Sequence, residues 1–348
     1  MSDTIAAPRL VDQARAIMAL NSAYFRSKAL QTAVELGVFA LLARGPATSA
    51  QVGRELGLRH LLVTEFLDAL ADMGLLETDA GQYRNSDAAA EFLIPGRPRY
   101  LGGSILQHSR LHYHTWGHLT EALRDGQAKF HREANGTAAF AETYEDQGRA
   151  RNLMSHMDAF NSFVADELAD RIDWRGYSSF VDIGGARGNV AARLVTAHPH
   201  LSGGVFDLPG LRPLFDELMS ELGTASQVRF HPGDFYTDPL PEADVLIIGH
   251  VLHDWPAARR RELVARTYPS VRPGGALVIY DAMLADDHRD AQSLLQCLNC
   301  SMVRDGGSEY TVSEGRDYAE RAGYRVSHVI TADTITGDRI VIAEKPGM

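Results

Sequence analysis

Apolar residues recur at helical spacing through residues 10–43, with Leu30, Val34, Val38 and Leu41 on one stripe, so this stretch predicts helix. Gly45-Pro46 ends it. Two shorter helices follow at about 49–56 and 60–73. Then come Gly74-Leu-Leu-Glu77, a turn at 79–81, and a return strand starting at Tyr83. Three helices and a small hairpin make the winged-helix order. Longer helices are predicted at about 103–125 and 149–171. From residue 178 the pattern switches to strand, turn and helix, repeated. Strands are predicted at 179–183, 204–206, 228–231, 244–248 and 276–280, with helices at 188–197, 210–221 and 256–268. This alternation predicts a doubly wound α/β domain, Rossmann-like, with helices on both faces of a parallel sheet. Two last strands, about 324–330 and 338–344, have no helix between them and would add an antiparallel strand.

Composition narrows the classes. Of 348 residues, 45% are hydrophobic and 23% charged, the balance of a globular chain. The net charge of −11 repels phosphate backbones, so nucleic acid is not expected as a partner. No apolar run reaches the ~18 residues of a membrane span. The first ten residues lack a secretory pattern, and two cysteines cannot form a disulfide framework. The expectation is a cytoplasmic protein with no membrane partner.

The most informative stretch is Ser179-Phe-Val-Asp-Ile-Gly-Gly-Ala-Arg-Gly188, a strand running through a glycine turn into a helix. Such a turn serves adenosine-containing ligands in doubly wound folds. The spacing of Gly184, Gly185 and Gly188 is wrong for a dinucleotide site. Asp182 at the strand tip would repel a pyrophosphate but suits an ammonium and a sulfonium, the charges of S-adenosylmethionine. Asp207, at the end of the second strand, is placed for ribose hydroxyls. Asp234 follows the third strand and can accept from an adenine amino group, with Phe235 packing on the ring. Aspartate also favours strand ends for purely structural reasons. The ordered set of three is what points to a ligand.

The segment Asp244-Val-Leu-Ile-Ile-Gly-His-Val-Leu-His-Asp-Trp255 reads as a buried strand ending in a polar, aromatic tip. It places His253 beside the ligand crevice, where a neutral imidazole can take a proton from a hydroxyl.

Six segments, taken in order, resemble a known family. They are Val181-Asp-Ile-Gly-Gly-Ala-Arg-Gly188, Phe206-Asp-Leu-Pro209, Gly233-Asp-Phe235, His250-Val-Leu-His-Asp-Trp255, Pro273-Gly-Gly275 and Gly306-Gly-Ser-Glu309. Their order and spacing are similar to small-molecule O-methyltransferases that use S-adenosylmethionine, the caffeate-type plant enzymes and their bacterial natural-product relatives. The resemblance covers nearly the whole chain. It implies a winged-helix-like dimerisation domain over 1–100 and a helical connector over 101–172 that contributes to the substrate pocket. Residues 173–348 would be the catalytic domain. It further implies a homodimer, His253 as general base, and Asp281 and Glu309 as the acids that orient it. Gly184, Asp207, Leu208, Asp234 and Phe235 would contact the cofactor, with His250 and Trp255 completing its wall. Trp116, Met157, Phe160, Asn161 and Met302 would face the substrate.

Two positions depart from the family pattern. Ala186 stands where a third glycine is usual, and its methyl is tolerated where the local φ is negative. Arg304 replaces an apolar or amide residue. It either faces an acidic substrate or sits at a helix end in solvent.

Other features are set aside. His108, His112, His114 and His118 have i,i+4 spacings but no carboxylate motif, so no metal is expected. Cys297 and Cys300 are half a zinc site at most and are read as buried thiols near the pocket. Asn135-Gly-Thr137 is a glycosylation sequon without relevance in a cytoplasmic chain. Two rival functions stay open. One is carbon or nitrogen methylation, or a repurposed decarboxylase or hydroxylase, on the same fold and cofactor. The other is a DNA-binding regulator. Against it, residues 60–72 carry Glu65, Asp68 and Asp72 but no Lys or Arg.

Overall fold

The computed structural model describes residues 9–59, 61–130 and 136–347. The sequon residue Asn135 and the helix-leading His60 lie outside them. The chain divides into two compact units, Met1–Ser109 and Arg110–Met348. The stretch read as a connector therefore falls mainly in the second.

In the first unit the long apolar stripe is three helices: α1 (Leu10–Asn21), α2 (Ala23–Leu36) and α3 (Val38–Leu42). Gly37 makes the second break by adopting φ 78°, a conformation open to glycine at no steric cost. A two-residue strand, β1 (Ala47–Thr48), precedes α4 (Ser49–Glu55). Thr48 and Gln51 close a capping box on α4. Next come α5 (Val63–Asp72), β2 (Leu76–Asp79), β3 (Gln82–Asn85), α6 (Asp87–Phe92) and α7 (Gly102–Gln107). Ala80 and Gly81 both take positive φ, the hairpin turn that suits strand twist. The small sheet has the order β1-β3-β2. Leu67 and Leu70 of α5 are fully buried with Val38, Phe39 and Val52. By contrast, Leu10, Ile17, Leu20 and Phe25 on the first two helices are exposed.

The predicted helix at 103–125 is also broken. After α7 comes a π-helical turn (His108–His112), then α8 (Tyr113–Trp116) and α9 (Leu119–Asp125). Then α10 (Thr137–Glu145) leads into α11 (Gln147–Arg171), whose start Asp146 caps.

The second unit holds a seven-stranded sheet of order β6-β5-β4-β7-β8-β10-β9. Its strands are β4 (Ser179–Ile183), β5 (Ser202–Asp207), β6 (Val228–Pro232), β7 (Ala243–Gly249), β8 (Val271–Asp281), β9 (Arg325–Thr331) and β10 (Arg339–Glu344). The first five run parallel, and β10 pairs antiparallel with β8 and β9. The helices are α12 (Asn189–Ala197), α13 (Arg212–Glu221), α14 (Ala257–Thr267), α15 (Ala291–Val303) and α16 (Val312–Arg321). Leu168 of α11, Leu194 of α12 and Leu214 of α13 pack on one sheet face. Leu263 of α14 and Tyr318 of α16 pack on the other. The central strands read as unbroken apolar runs because both faces are covered. Strand order reverses at β4, so the crevice at the carboxyl ends of β4, β5 and β7 is where ligands bind in such sheets. No described helix is long and apolar enough to cross a membrane.

Candidate active site

The glycine turn after β4 forms one half of that crevice. Gly184 has φ 74°, and a Cβ there would sit 2.7 Å from Val251 Cγ2. A Cβ on Gly185 would sit 2.7 Å from the Asp182 carboxyl carbon. Only bare backbone lets the turn close over Asp182. Ala186 follows at φ 53°, so the condition under which its methyl is tolerated, a negative φ, is not met. The alanine is held in the left-handed region, where its Cβ is strained. Asp207 braces it: one carboxylate oxygen accepts from the Ala186 N–H at 2.8 Å and the other from the Leu208 N–H at 2.7 Å.

Asp182 and Asp207 are both buried. Burial pushes the Asp182 carboxyl up to about 7, with Asp207 adding to it. Burial also pushes Asp207 up to about 7, against the two N–H groups it accepts from. Two buried acids beside a turn of bare backbone fit a ligand that brings positive charge and hydroxyls. Beyond β6, Asp234 accepts from the Tyr236 N–H at 2.8 Å. Phe235 lies edge-on to Trp255, ring centres 5.9 Å apart, and 3.7 Å from where a Gly184 Cβ would be. The Trp255 indole N–H is buried without a hydrogen-bond partner. The sequence-predicted Asp182, Gly184, Asp207, Asp234, Phe235 and Trp255 therefore gather around one crevice.

His253 forms the other half, in a one-turn 3₁₀ segment (Leu252–Asp254) after β7. Its Nδ1 lies 2.9 Å from Glu309 Oε1 and 3.2 Å from Asp281 Oδ1. Both acids are fully buried at their side chains. Tyr310 Oη donates to Asp281 Oδ2 at 2.7 Å, and the Ser308 N–H donates to the His253 carbonyl at 2.8 Å. Burial alone would lower the imidazole, but Glu309 and Asp281 outweigh it and raise it to about 10. Burial raises the Asp281 carboxyl. His250 stacks at 11° to His253, with φ 51°. It is tied through Nε2 to Asp338 at 2.9 Å. Burial opposes ionisation of Asp338, yet His250 and the Thr334 and Thr336 hydroxyls hold it down at about 2.

A sequence model of the O-methyltransferase domain matches residues 116–325, and one of the O-methyltransferase dimerisation domain matches 18–95. The chain belongs to the O-methyltransferase family. It is 51% identical to N,N-dimethyltransferase OxyT of Streptomyces rimosus, over 99% of this chain and 100% of that one. It is 43% identical to the tetracenomycin polyketide synthesis 8-O-methyl transferase TcmO of Streptomyces glaucescens, over 95% and 96%. Among solved structures, human N-acetylserotonin methyltransferase in complex with S-adenosylmethionine superposes with a TM-score of 0.85 at 26% identity, covering 99% of this chain and 100% of that one. The methyl donor of this O-methyltransferase is S-adenosylmethionine. The buried acids and the glycine turn described above fit that donor.

The predicted substrate residues scatter more. Trp116 Nε1 donates to Asn299 Oδ1 at 2.9 Å, joining α8 to α15. The buried Met302 accepts from the Lys129 N–H at 2.8 Å through its carbonyl. Met157 and Phe160 are half-buried on α11, where Phe160 packs on His156, ring centres 5.2 Å apart. Asn161 is buried with its amide oxygen unpartnered. Arg304 does stand at a helix end, just after α15, but it is mostly buried and not in solvent. It pairs with Asp254 at 2.8 Å and covers the Phe140 ring at 4.1 Å, so its charge is already used. The histidines of the 108–118 segment have separate jobs: His108 Nδ1 meets the Ser104 carbonyl, His118 meets Glu121, and His112 packs on His156. Cys300 Sγ lies 3.6 Å from Glu309 Oε1, beside the base.

Four participants were missed: Asp338, Tyr310, Cys300 as a donor to Glu309, and Arg260. Thr334-Ile-Thr-Gly-Asp338 carried a signal for the first, since two hydroxyls flank an acid at a strand start. The other three carried none.

Proposed function

We propose that this methyltransferase transfers its methyl group to a hydroxyl of a small aromatic natural product, with His253 as general base. The observation that carries the reading is the imidazole held through Nδ1 by two buried carboxylates, which would fix its tautomer and leave Nε2 to take the acceptor's proton. Glu309 and Asp281 then stabilise the imidazolium formed. The bound donor supplies a methyl already activated by its sulfonium. The chain has to align the acceptor and take its proton, and alignment alone is worth on the order of 7–11 kcal/mol. Asp182 would neutralise the donor's cationic end, Asp207 hold its ribose, and Asp234, Phe235 and Trp255 seat its adenine. The half-buried Met157 and Phe160, with Trp116 and Met302, would form an apolar wall for a ring. The exposed Leu10, Ile17, Leu20 and Phe25, within and beside the dimerisation match, support a homodimer, to be checked by light scattering.

A second reading is methylation of nitrogen, favoured by the 51% identity to an N,N-dimethyltransferase. Labelled S-adenosylmethionine offered with matched phenols and aromatic amines decides between them. Phenol ethers whose formation stops in His253→Ala support the base. Amine products that persist in His253→Ala support the second reading and exclude the first.

A further inference from the structure

We propose that Arg260 is a positioning residue that sets the spacing between the His253 imidazole and the Glu309 carboxylate. The inference rests on reading His253 as the base. Arg260 lies on α14 and is 3% exposed. Its Nε donates to the carbonyls of Leu252 at 3.0 Å and Trp255 at 2.6 Å, on either side of His253. Its Nη2 donates to the carbonyl and hydroxyl of Ser308, at 2.6 and 2.7 Å, one residue before Glu309. The guanidinium also lies 4.9 Å from the centre of the Tyr310 ring, whose hydroxyl holds Asp281. One side chain thus reaches the segments carrying the base and Glu309 and the tyrosine that holds the second acid.

A buried guanidinium is costly unless its donors are met. Among the described residues no carboxylate makes an ion pair with Arg260; carbonyls, a hydroxyl and a ring satisfy it instead. The guanidinium thus pairs with neither Glu309 nor Asp281, and both keep their contacts to His253. Only a planar fork with several fixed donors joins two loops this way, and lysine, with one point of attachment, does so in part. Its neighbours differ: Arg259 lies over the Tyr236 ring at 3.4 Å, and Arg261 is exposed.

The test compares Arg260→Met, Arg260→Lys and the control Arg261→Ala. With the brace gone, the Nδ1 to Oε1 contact lengthens and the imidazole becomes more acidic. Arg260→Met is expected to lose on the order of 10²-fold in kcat, as misplacement of a catalytic group does. The KM for S-adenosylmethionine should stay within about threefold. The rising limb of the pH–rate profile should move down by about half a unit or more. Arg260→Lys should fall between, and Arg261→Ala should match the wild type. If Arg260→Met does not fold, Ser308→Ala, which removes one acceptor of the brace, carries the same pH test. A pH–rate limb that stays in place in these variants overturns the inference, whatever the loss in rate. If His253→Ala keeps full activity, the base reading itself fails. If His253→Ala is inactive while Arg260→Met behaves as wild type, only the Arg260 inference fails.

Discussion

Two pairs of buried acids sit along the same sheet edge, and they are met by different groups. Asp182 and Asp207 sit beside the glycine turn with no ion pair to either among the described residues, and burial drives both up to about 7, with His250 only partly opposing it at Asp182. Asp281 and Glu309 are buried just as deeply, and burial raises Asp281 to about 7 as well, but here a side chain answers them: His253 lies within 3.2 Å of both, its imidazole raised to about 10. Burial raises Asp281 as it raises Asp182 and Asp207; what differs is the group that faces each pair. One pair carries its cation within the chain. The other, in the proposed function, would be completed by the cationic donor.

Removing the resident cation is the harshest way to break this comparison. His253→Ala should cut methyl transfer to a hydroxyl by about 10²–10⁴-fold and leave donor affinity near normal. Initial rates and calorimetric titration measure the two. Donor binding that falls in step with the rate would mean the two pairs are not separable.

Glu309→Gln should have the next largest effect, on the order of 10–100-fold in rate at pH values above the wild-type rising limb, where the native imidazole is already neutral. It also has a signed pH signature. The imidazole accepts a proton only when neutral, so the rate rises with pH through its pKa. Glu309 raises that pKa. Without the charge, the rising limb moves to lower pH, and part of the lost rate returns below the wild-type limb.

Asp182→Asn probes the other pair. The carboxyl titrates near 7, and only its ionised form attracts a sulfonium or ammonium. Donor affinity of the native protein should therefore weaken as pH falls from 8 to 6. The amide should weaken donor binding by about tenfold at pH 8 and flatten its pH dependence. Titration at three pH values checks this. An equally steep slope in the variant would place the titrating group elsewhere.

The sheet and most of this edge were legible from the chain because their signals are local. A parallel strand buried on both faces is an apolar run such as Val245-Leu-Ile-Ile248, and where a strand ends in an aspartate, as Val205-Phe-Asp207 does, the two are adjacent in sequence. Breaks of a single residue were not legible. Periodicity survives across Ser22 and Gly37, so three helices read as one. The α16 start was readable in Thr311-Val-Ser-Glu314, a capping box passed over because no long apolar stripe follows it. The partners of the site were hidden by distance. Asp338 meets His250 across 88 residues, and Arg260 meets Ser308 across 48. Nothing in Arg259-Arg-Arg261 says which arginine turns inward; only the packing of α14 does.

The smallest effect concerns the glycine turn and the acid that braces it. Ala186 holds φ 53°, and its N–H is bonded to Asp207 at 2.8 Å. A left-handed alanine costs about 1 kcal/mol relative to glycine in the folded state. Glycine also gains freedom in the unfolded chain, which returns part of that. Ala186→Gly should therefore stabilise by about 0.5 kcal/mol, a rise in Tm of ~1–2 °C. Gly184→Ala should do the opposite and more strongly, because its Cβ would meet Val251 Cγ2 at 2.7 Å as well as carrying φ 74°. Paired melts with and without S-adenosylmethionine separate strain from ligand contact. If Ala186→Gly lowers Tm in the free protein, the strain assigned to this turn is absent. The Asp207 bond to its N–H would then be an ordinary contact, and no brace.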